Sequence, residues 1–485
     1  MFWLFLFLIL SADMKTTINV FLLCLVLYAT QMTAQQSMIG TFTGRLEVQG
    51  TEIELIFEFL VDSADQTQKC LLSIAKQGLR AHAADEVVQT DTNFTVVFSP
   101  FSAQYIGVLD TEGKILGTWK QGGYTAELNL EQTEDAPLLN RPQEPKPPFP
   151  YEMMDLMIKN QASPGVELAG TLTTPKGEGP FPLVVFISGS GPQNRNSELF
   201  GHKPFWVIAD YLTRHGIAVF RYDERGIGAS KGDFQAATTV DLASDTRAIV
   251  EYLEKQDLPI SRIGLIGHSE GGIIAPIVAN ESSAVQFIVL LAAPGVTGQE
   301  ILLAQSALIL EKAGTPQEEI ARQVQFAESL YDLVLNTPME EELDYEQLKE
   351  ISLLFYDQAG KELKEQYDTF ERFYFTQSSV LSSKWMRFFI GYDPQPALQK
   401  LNIPVFALNG SLDLQVPVKE NLQAIQRALE LAPTIEFELK EVPGLNHLFQ
   451  SAETGHPNEY AEIEETFNES VLQMVATWVL SLNGH

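Results

Sequence analysis

Three side chains have the types and the order to do chemistry together: Ser269, Asp413 and His447. A serine hydroxyl is a weak nucleophile until a base takes its proton, and the base is most often a histidine oriented by a buried carboxylate. Ser269 stands in Gly267-His268-Ser269-Glu270-Gly271, between the apolar run Ile263 to Ile266 and a small-residue, helix-compatible stretch. That is the sequence form of a strand, a sharp turn and a helix with the serine at the turn. Glycines on either side suit such a turn because they carry no Cβ to collide with the neighbouring strand or helix. The backbone N–H of Glu270 falls at the helix start, aimed where negative charge would develop on a substrate oxygen. The chemistry expected is acyl transfer.

The partners follow by elimination. The histidines are His82, His202, His215, His268, His447, His456 and His485. His268 cannot fold back onto Ser269 from inside the turn. His485 ends the chain, and His82, His202 and His215 precede the turn. Of the two left, His447 follows the last expected strand in Pro443-Gly444-Leu445-Asn446-His447, whereas His456 lies in a polar stretch of exposed loop. Loops at the carboxyl ends of such strands are where sites form in open α/β sheets. The acid should end the preceding strand, and Asn409-Gly410-Ser411-Leu412-Asp413 supplies Asp413. An aspartate before Pro417 could instead cap a turn, but the order serine, acid, histidine favours catalysis. A second donor to the oxyanion is expected in Ser188-Gly189-Ser190-Gly191-Pro192, at the backbone of Ser190, with Gly191 as the alternative.

The elements around these residues read as an α/β chain. Apolar strands over 183–188, 218–222, 263–267, 287–291, 405–408 and 435–442 alternate with helices over 204–214, 240–253 and 270–279. A strand pair near 151–159 and 166–174 precedes them. Such alternation predicts a mostly parallel sheet with helices on both faces. Residues 296–394 break the rhythm. They are helical in pattern, acidic at Glu340-Glu341-Glu342, and carry Phe355, Tyr356, Phe373, Tyr374, Phe375 and Trp385. So long an insertion should have its own structure, and we expect a helical lid. Its aromatics would either line a pocket or pack the lid helices together.

Before the α/β part, residues 37–133 alternate apolar and polar in short runs, as at 41–48, 51–59, 69–74, 93–98, 105–109, 115–119 and 124–130, with turn signals at Glu112-Gly113 and Gln121-Gly122-Gly123. A small all-β barrel or sandwich is predicted. Residues 134–150 hold six prolines and read as a semi-rigid linker to a domain spanning 151–485. Residues 1–34 read as a secretory signal peptide, with an apolar core over 20–28 after Lys15; translation would start at Met14 rather than Met1. The core is short for a membrane anchor, and no later run is long enough to span a bilayer. The expected location is therefore outside the cytoplasm of a bacterium, in the periplasm or secreted.

The totals set limits. Among 485 residues, 63 acidic against 32 basic side chains give a net charge of −31. Such a surface repels phosphate backbones, so nucleic acid is not an expected partner. With Cys24 in the leader, Cys70 is left without a partner, and neither zinc-ligand cysteine pairs nor an HExxH run is present. No metal or cofactor is called for. The sequence sets no oligomeric state.

Taken together, the elbow at Ser269, the run Phe220-Arg221-Tyr222-Asp223-Glu224-Arg225-Gly226, the Gly-Ser-Gly-Pro loop, Asn409 to Asp413 and Asn446-His447 resemble the α/β-hydrolase superfamily from about Tyr151 onward. More narrowly the chain is similar to exported bacterial carboxylesterases with a small β domain in front, sequences also grouped with serine aminopeptidases. The resemblance implies an α/β-hydrolase fold and a serine hydrolase acting on small-molecule esters through an acyl-enzyme. It implies a structural role for the stretch holding Asp223 and Arg225. A peptidase or aminopeptidase with the same triad is the alternative. A non-enzymatic binding protein on the same scaffold is a third.

Overall fold

The computed structural model describes residues 38–48, 51–61, 67–74, 79–90, 92–133, 140–360, 363–364, 367, 369–432 and 436–482. The expected leader at 1–34, residues 134–139 of the expected linker, and His485 lie outside the described residues. Contacts divide the chain into two compact units, with the boundary between Pro137 and Leu138.

The first unit contains β1 (Gly40–Val48), β2 (Thr51–Val61), β3 (Gln68–Ile74), β4 (Leu79–Ala83), β5 (Glu86–Thr90), β6 (Asn93–Phe98), β7 (Ala103–Leu109), β8 (Ile115–Gln121), β9 (Tyr124–Glu127) and β10 (Glu131–Thr133). They form two antiparallel sheets, ordered β10-β1-β2-β3-β4 and β5-β6-β7-β8-β9. Strand period two puts Phe42, Phe57, Phe59, Phe94, Tyr105 and Trp119 into one core shared by both sheets. Sequence reading does not anticipate β4, β5 or β10, and it runs β9 on to residue 130. All four are short edge strands. β5 buries no residue fully, so no apolar alternation marks it. His82 is half-buried, its ring 4.6 Å from that of Phe101.

The second unit is built on one eight-stranded sheet, ordered β11-β12-β14-β13-β15-β16-β17-β18. Its strands are β11 (Tyr151–Lys159), β12 (Glu167–Pro175), β13 (Phe181–Ile187), β14 (Ala218–Tyr222), β15 (Ile260–His268), β16 (Val285–Leu291), β17 (Val405–Gly410) and β18 (Phe437–Val442). β11, β12 and β14 pair antiparallel; from β14 onward every neighbour is parallel. The central strands are buried on both faces, which is why they read as unbroken apolar runs. In β13, Leu183, Val185 and Ile187 face one core, while Val184 and Phe186 face the other. Helices α1 (Pro204–Arg214), α2 (Thr239–Glu254) and α3 (Gly271–Glu281) connect the first strands. This is an α/β-hydrolase sheet.

After β16 the chain leaves the sheet for α4 (Gly298–Lys312), α5 (Gln317–Leu335), α6 (Tyr345–Gln358), α7 (Phe370–Leu381), α8 (Lys384–Gly391) and α9 (Gln395–Leu398), then returns at β17. Thr297, Asp344, Thr369 and Ser383 cap four of these helices with side-chain oxygens. Leu330, Val334, Leu348, Leu381 and Ile390 give the insertion its own small core. Glu340, Glu341 and Glu342 are exposed. Helices α10 (Val418–Glu430) and α11 (Glu469–Ser481) complete the unit. Among the described residues no helix is long and apolar enough to cross a membrane.

Candidate active site

β15 delivers Ser269 at its carboxyl end, between parallel neighbours β13 and β16. Ser269 has φ +52°, a left-handed conformation rare for a residue with a side chain. The turn is held from outside: the Ser269 N–H donates to Leu291 O at 2.9 Å, and the Gly272 N–H donates to Ser269 O at 2.8 Å. A Cβ on Gly267 would overlap the backbone of Gly271, and one on Gly271 would overlap the carbonyl of Ile187 on β13. Both glycines are therefore demanded by close approach. Glu270 caps α3, and among the described hydrogen bonds no backbone carbonyl takes its N–H or that of Ser190.

Asp413 and His447 come from the loops after β17 and β18. Asn446, fully buried, ties the second loop: its Oδ1 accepts the N–H groups of Leu448 and Gln450, each at 3.0 Å. Asp413 divides its oxygens. Oδ1 accepts the N–H groups of Gln415 and Val416 at 2.8 and 2.9 Å, and Oδ2 accepts from His447 Nδ1 at 2.8 Å. The turn-capping and histidine-orienting readings of this residue both hold, one per oxygen. A carboxylate only accepts, so Nδ1 carries the proton and Nε2 keeps its lone pair. Asp413 is fully buried at the side chain and His447 nearly so. His456 is not part of this group; it caps the short turn at Pro457 by accepting the N–H of Asn458.

The loop after β13 reaches the same place. Gly189 and Ser190 line one cavity with Ser269 and His447, and a Cβ on Gly189 would stand 3.0 Å from the Ser269 Cβ. Gly191 is not among the lining residues. The loop is anchored by the acids after β14. Glu224 accepts from Ser188 Oγ at 2.7 Å and from the Gln193 N–H at 2.8 Å. Asp223 accepts the Arg195 N–H at 2.7 Å and pairs with the Arg195 guanidinium. Arg225 pairs with buried Asp245. Burial, with Glu270 nearby, pushes the Glu224 carboxyl up to about 8, against the hydrogen bonds from Ser188 and Gln193. The run from Asp223 to Arg225 thus shapes the loop and does not itself line the cavity.

His268 is the residue that sequence reasoning sets aside. It does not turn back onto Ser269, but its Nε2 donates to the carbonyl of His447 at 2.9 Å, with the two rings 4.8 Å apart. Burial, then the neighbouring His447, push its imidazole down to about 3, so it stays neutral. The bond joins positions far apart in sequence, and no local pattern foretells it.

The cavity holds about 330 Å³. Phe200, Phe205, Ile208 and Leu448 wall it from the sheet side, and Ile301, Leu302, Trp385 and Phe389 from the lid. Among the described residues no charged side chain lines it. Of the expected lid aromatics, Trp385 alone reaches it. Phe355 stacks on both Phe326 and Phe373 inside the lid, and Phe375 is 72% exposed.

Residues 164–434 match the family model described as X-Pro dipeptidyl-peptidase (S15 family). Esterase EstD of Thermotoga maritima is 26% identical over 392 residues, covering 80% of this chain and 79% of that protein. Among solved structures, the Pyrococcus furiosus esterase Pf2001 is similar at TM-score 0.40 and 17% identity, over 72% of this chain and 99% of that one. Est1E of Butyrivibrio proteoclasticus, solved with ferulic acid, gives TM-score 0.38 and 16% identity over 68% and 97%. Because the family model spans more than half of the chain, the protein belongs to the X-Pro dipeptidyl-peptidase (S15) family and is a serine hydrolase.

Proposed function

We propose that the chain is a carboxylic ester hydrolase working by two-step acyl transfer, with Ser269 as nucleophile, His447 as base and Asp413 as its orienting acid. The observation that carries the ester reading is the cavity around Ser269 and His447, which presents apolar walls and no charged side chain among the described residues. A substrate ammonium entering it would find no carboxylate to pair with, and an unpaired charge is costly to bury. An uncharged acyl group loses nothing by entering, and the apolar walls stabilise it.

His447 Nε2 takes the Ser269 proton as Oγ attacks the ester carbonyl. The amides of Glu270 and Ser190 hold the oxyanion. His447 then gives its proton to the leaving alcohol, and water activated by the same nitrogen releases the acid. The neutral imidazole of His268, bonded to the His447 carbonyl, keeps the base in register without competing for protons. The esterase relative supports this assignment. The family description favours a second reading, cleavage after an X-Pro dipeptide with the same residues. A nitrophenyl-ester panel run beside a dipeptidyl-prolyl anilide separates the two. Ester turnover with no anilide cleavage is expected; anilide cleavage at comparable kcat/KM would replace the ester reading. Export is part of the proposal, supported by the apolar core after Lys15, and N-terminal sequencing of protein from its native host should begin near Gln35.

A further inference from the structure

Two-step acyl transfer gives the side chain of Glu270 nothing to do. Yet it is 1% exposed, directly after the nucleophile. A carboxyl withdrawn from water is tolerated only where donors satisfy it. Here the donors come from two separate parts of the unit. Thr239 Oγ1, at the first turn of α2, donates to Glu270 Oε1 at 2.6 Å. Trp385 Nε1, from lid helix α8, donates to the same oxygen at 2.8 Å. Burial raises the carboxyl's pKa, and the side chains of Thr239, Trp385 and Ser190 oppose that rise. An indole N–H can only donate, so the lid contact has one polarity and one geometry.

Of these parts, the lid helix meets the reacting centre. Ser190 carries a proposed oxyanion N–H, and Glu224 already fixes the two flanks of its loop at Ser188 and Gln193. Glu270 directly follows Ser269, so its buried carboxyl and its proposed oxyanion N–H belong to one residue. Trp385 stacks on Phe389 with ring centroids 5.1 Å apart, and both rings wall the cavity. A bound acyl group therefore touches the helix that supplies the bond to Glu270.

We propose that the Glu270 carboxyl is a positioning group that couples the lid to the oxyanion hole: Trp385 seated on the Glu270 side chain fixes the residue whose own backbone N–H is one of the two oxyanion donors. The inference rests on reading Ser269 as the nucleophile with the Ser190 and Glu270 amides as its oxyanion donors. A donor set in place before reaction acts on the transition state more than on substrate binding, so the coupling should show in kcat.

Trp385→Phe keeps the stacked ring and removes only the N–H. On a short-chain nitrophenyl ester it should lower kcat about tenfold or more, with KM changed by less than about threefold. Glu270→Ala should do at least as much, and the double variant should be no worse than Glu270→Ala alone, because both remove one linkage. Glu270→Gln keeps an acceptor oxygen for the indole and should recover most of kcat. A Trp385→Phe enzyme with normal kcat and a raised KM would overturn the coupling, leaving the tryptophan as pocket wall only. Additive losses in the double variant would overturn it too. Should Glu270→Ala fail to fold, the Trp385→Phe split and the glutamine rescue decide the matter by themselves. Ser269→Ala separates the two layers: if it still turns over ester, the nucleophile reading fails; if it is inert while Trp385→Phe keeps full kcat, only the coupling fails.

Discussion

Phe57, Phe94, Phe98, Tyr105 and Trp119 fill the core of the first unit, and Ser73 is its one buried polar residue among those described. In the second unit Glu224, Asp245, Glu270, Asp413 and His447 sit at the same depth. Backbone strain divides the same way. Among the described non-glycine residues, positive φ occurs once in the first unit, at Ser102, but at Ser197, Phe200, Ser269, Ala292 and Phe449 in the second. Ser197, Phe200 and Ser269 line the cavity, and Phe449 lies two residues past His447. A sheet that only has to fold buries apolar side chains and stays in relaxed backbone regions. The hydrolase sheet carries costs that folding alone would not retain, and they collect at the carboxyl ends of its strands. Buried polarity at the strand ends of the second unit serves chemistry, while burial in the first serves stability.

Asp413→Asn is the largest test of that claim. Asparagine can still accept the Gln415 and Val416 N–H groups with its one carbonyl oxygen, so the cap survives. What is lost is the carboxylate that fixes the His447 tautomer. We expect kcat to fall by roughly 10⁴-fold while the melting temperature moves little. A variant that melts early but turns over normally would make Asp413 a structural cap and break the comparison at its strongest point.

Phe57→Ala probes the other side. Phe57 is fully buried and its ring meets those of Phe59, Phe98, Tyr105 and Trp119. Truncation should destabilise the first unit by about 3–5 kcal/mol. Calorimetry should show the loss, and kcat on a short soluble ester at low temperature should be unchanged. A matching fall in kcat would give the first unit a part in the chemistry that its composition denies.

How much of this was legible in sequence follows the same division. The strands of the parallel sheet announce themselves because both faces are buried, and Pro204–Arg214 and Ala218–Tyr222 match the sequence reading to the residue. Ser269, Asp413 and His447 are legible because each follows a readable strand, the first two apolar runs and the third, β18, an alternating one. The edge strands β4, β5 and β10 are not, since an edge half in water has no strong alternation. The anchoring of Ser188 and Gln193 by Glu224 is also hidden: it joins loops after β13 and β14, which only the sheet order brings together. The pattern shows that Glu270 follows Ser269, and it cannot show that its carboxyl turns inward.

Buried polarity should also leave a mark on pH dependence. The Glu224 carboxyl is raised from 4.5 to about 8 in the folded protein. Above pH 4.5 the unfolded chain gives up this proton and the folded one keeps it. The stability Glu224 contributes is therefore complete below pH 4.5 and is lost as pH rises through 8. Burial pushes the His202 and His268 imidazoles down, from 6.5 to about 4 and about 3. Their contribution has the opposite sign, present above pH 6.5 and lost toward pH 3. Glu224→Gln removes the alkaline loss only. Its melting temperature should fall less than that of the wild type between pH 5 and 8, with any remaining slope coming from Glu270 and Asp245, whose carboxyls burial also raises. Identical alkaline slopes would mean that Glu224 is ionised in the fold.

The smallest expected effect lies at His456, which shares the second unit with His447 and is half-buried, but is bound to no reacting group. Its Nδ1 accepts the Asn458 N–H at 3.2 Å and caps the short turn at Pro457. Pro457 itself lines the cavity, so the turn borders the site without entering the chemistry. His456→Ala should cost about 0.5–1 kcal/mol of stability, the usual worth of a lost cap, and change kcat by less than about twofold. Because His456→Asn restores a capping acceptor, it should return that stability. A large kcat loss in His456→Ala that asparagine does not repair would place a second functional histidine at the cavity rim. The division between chemical and structural polarity would then have to be redrawn inside the second unit as well as between the two.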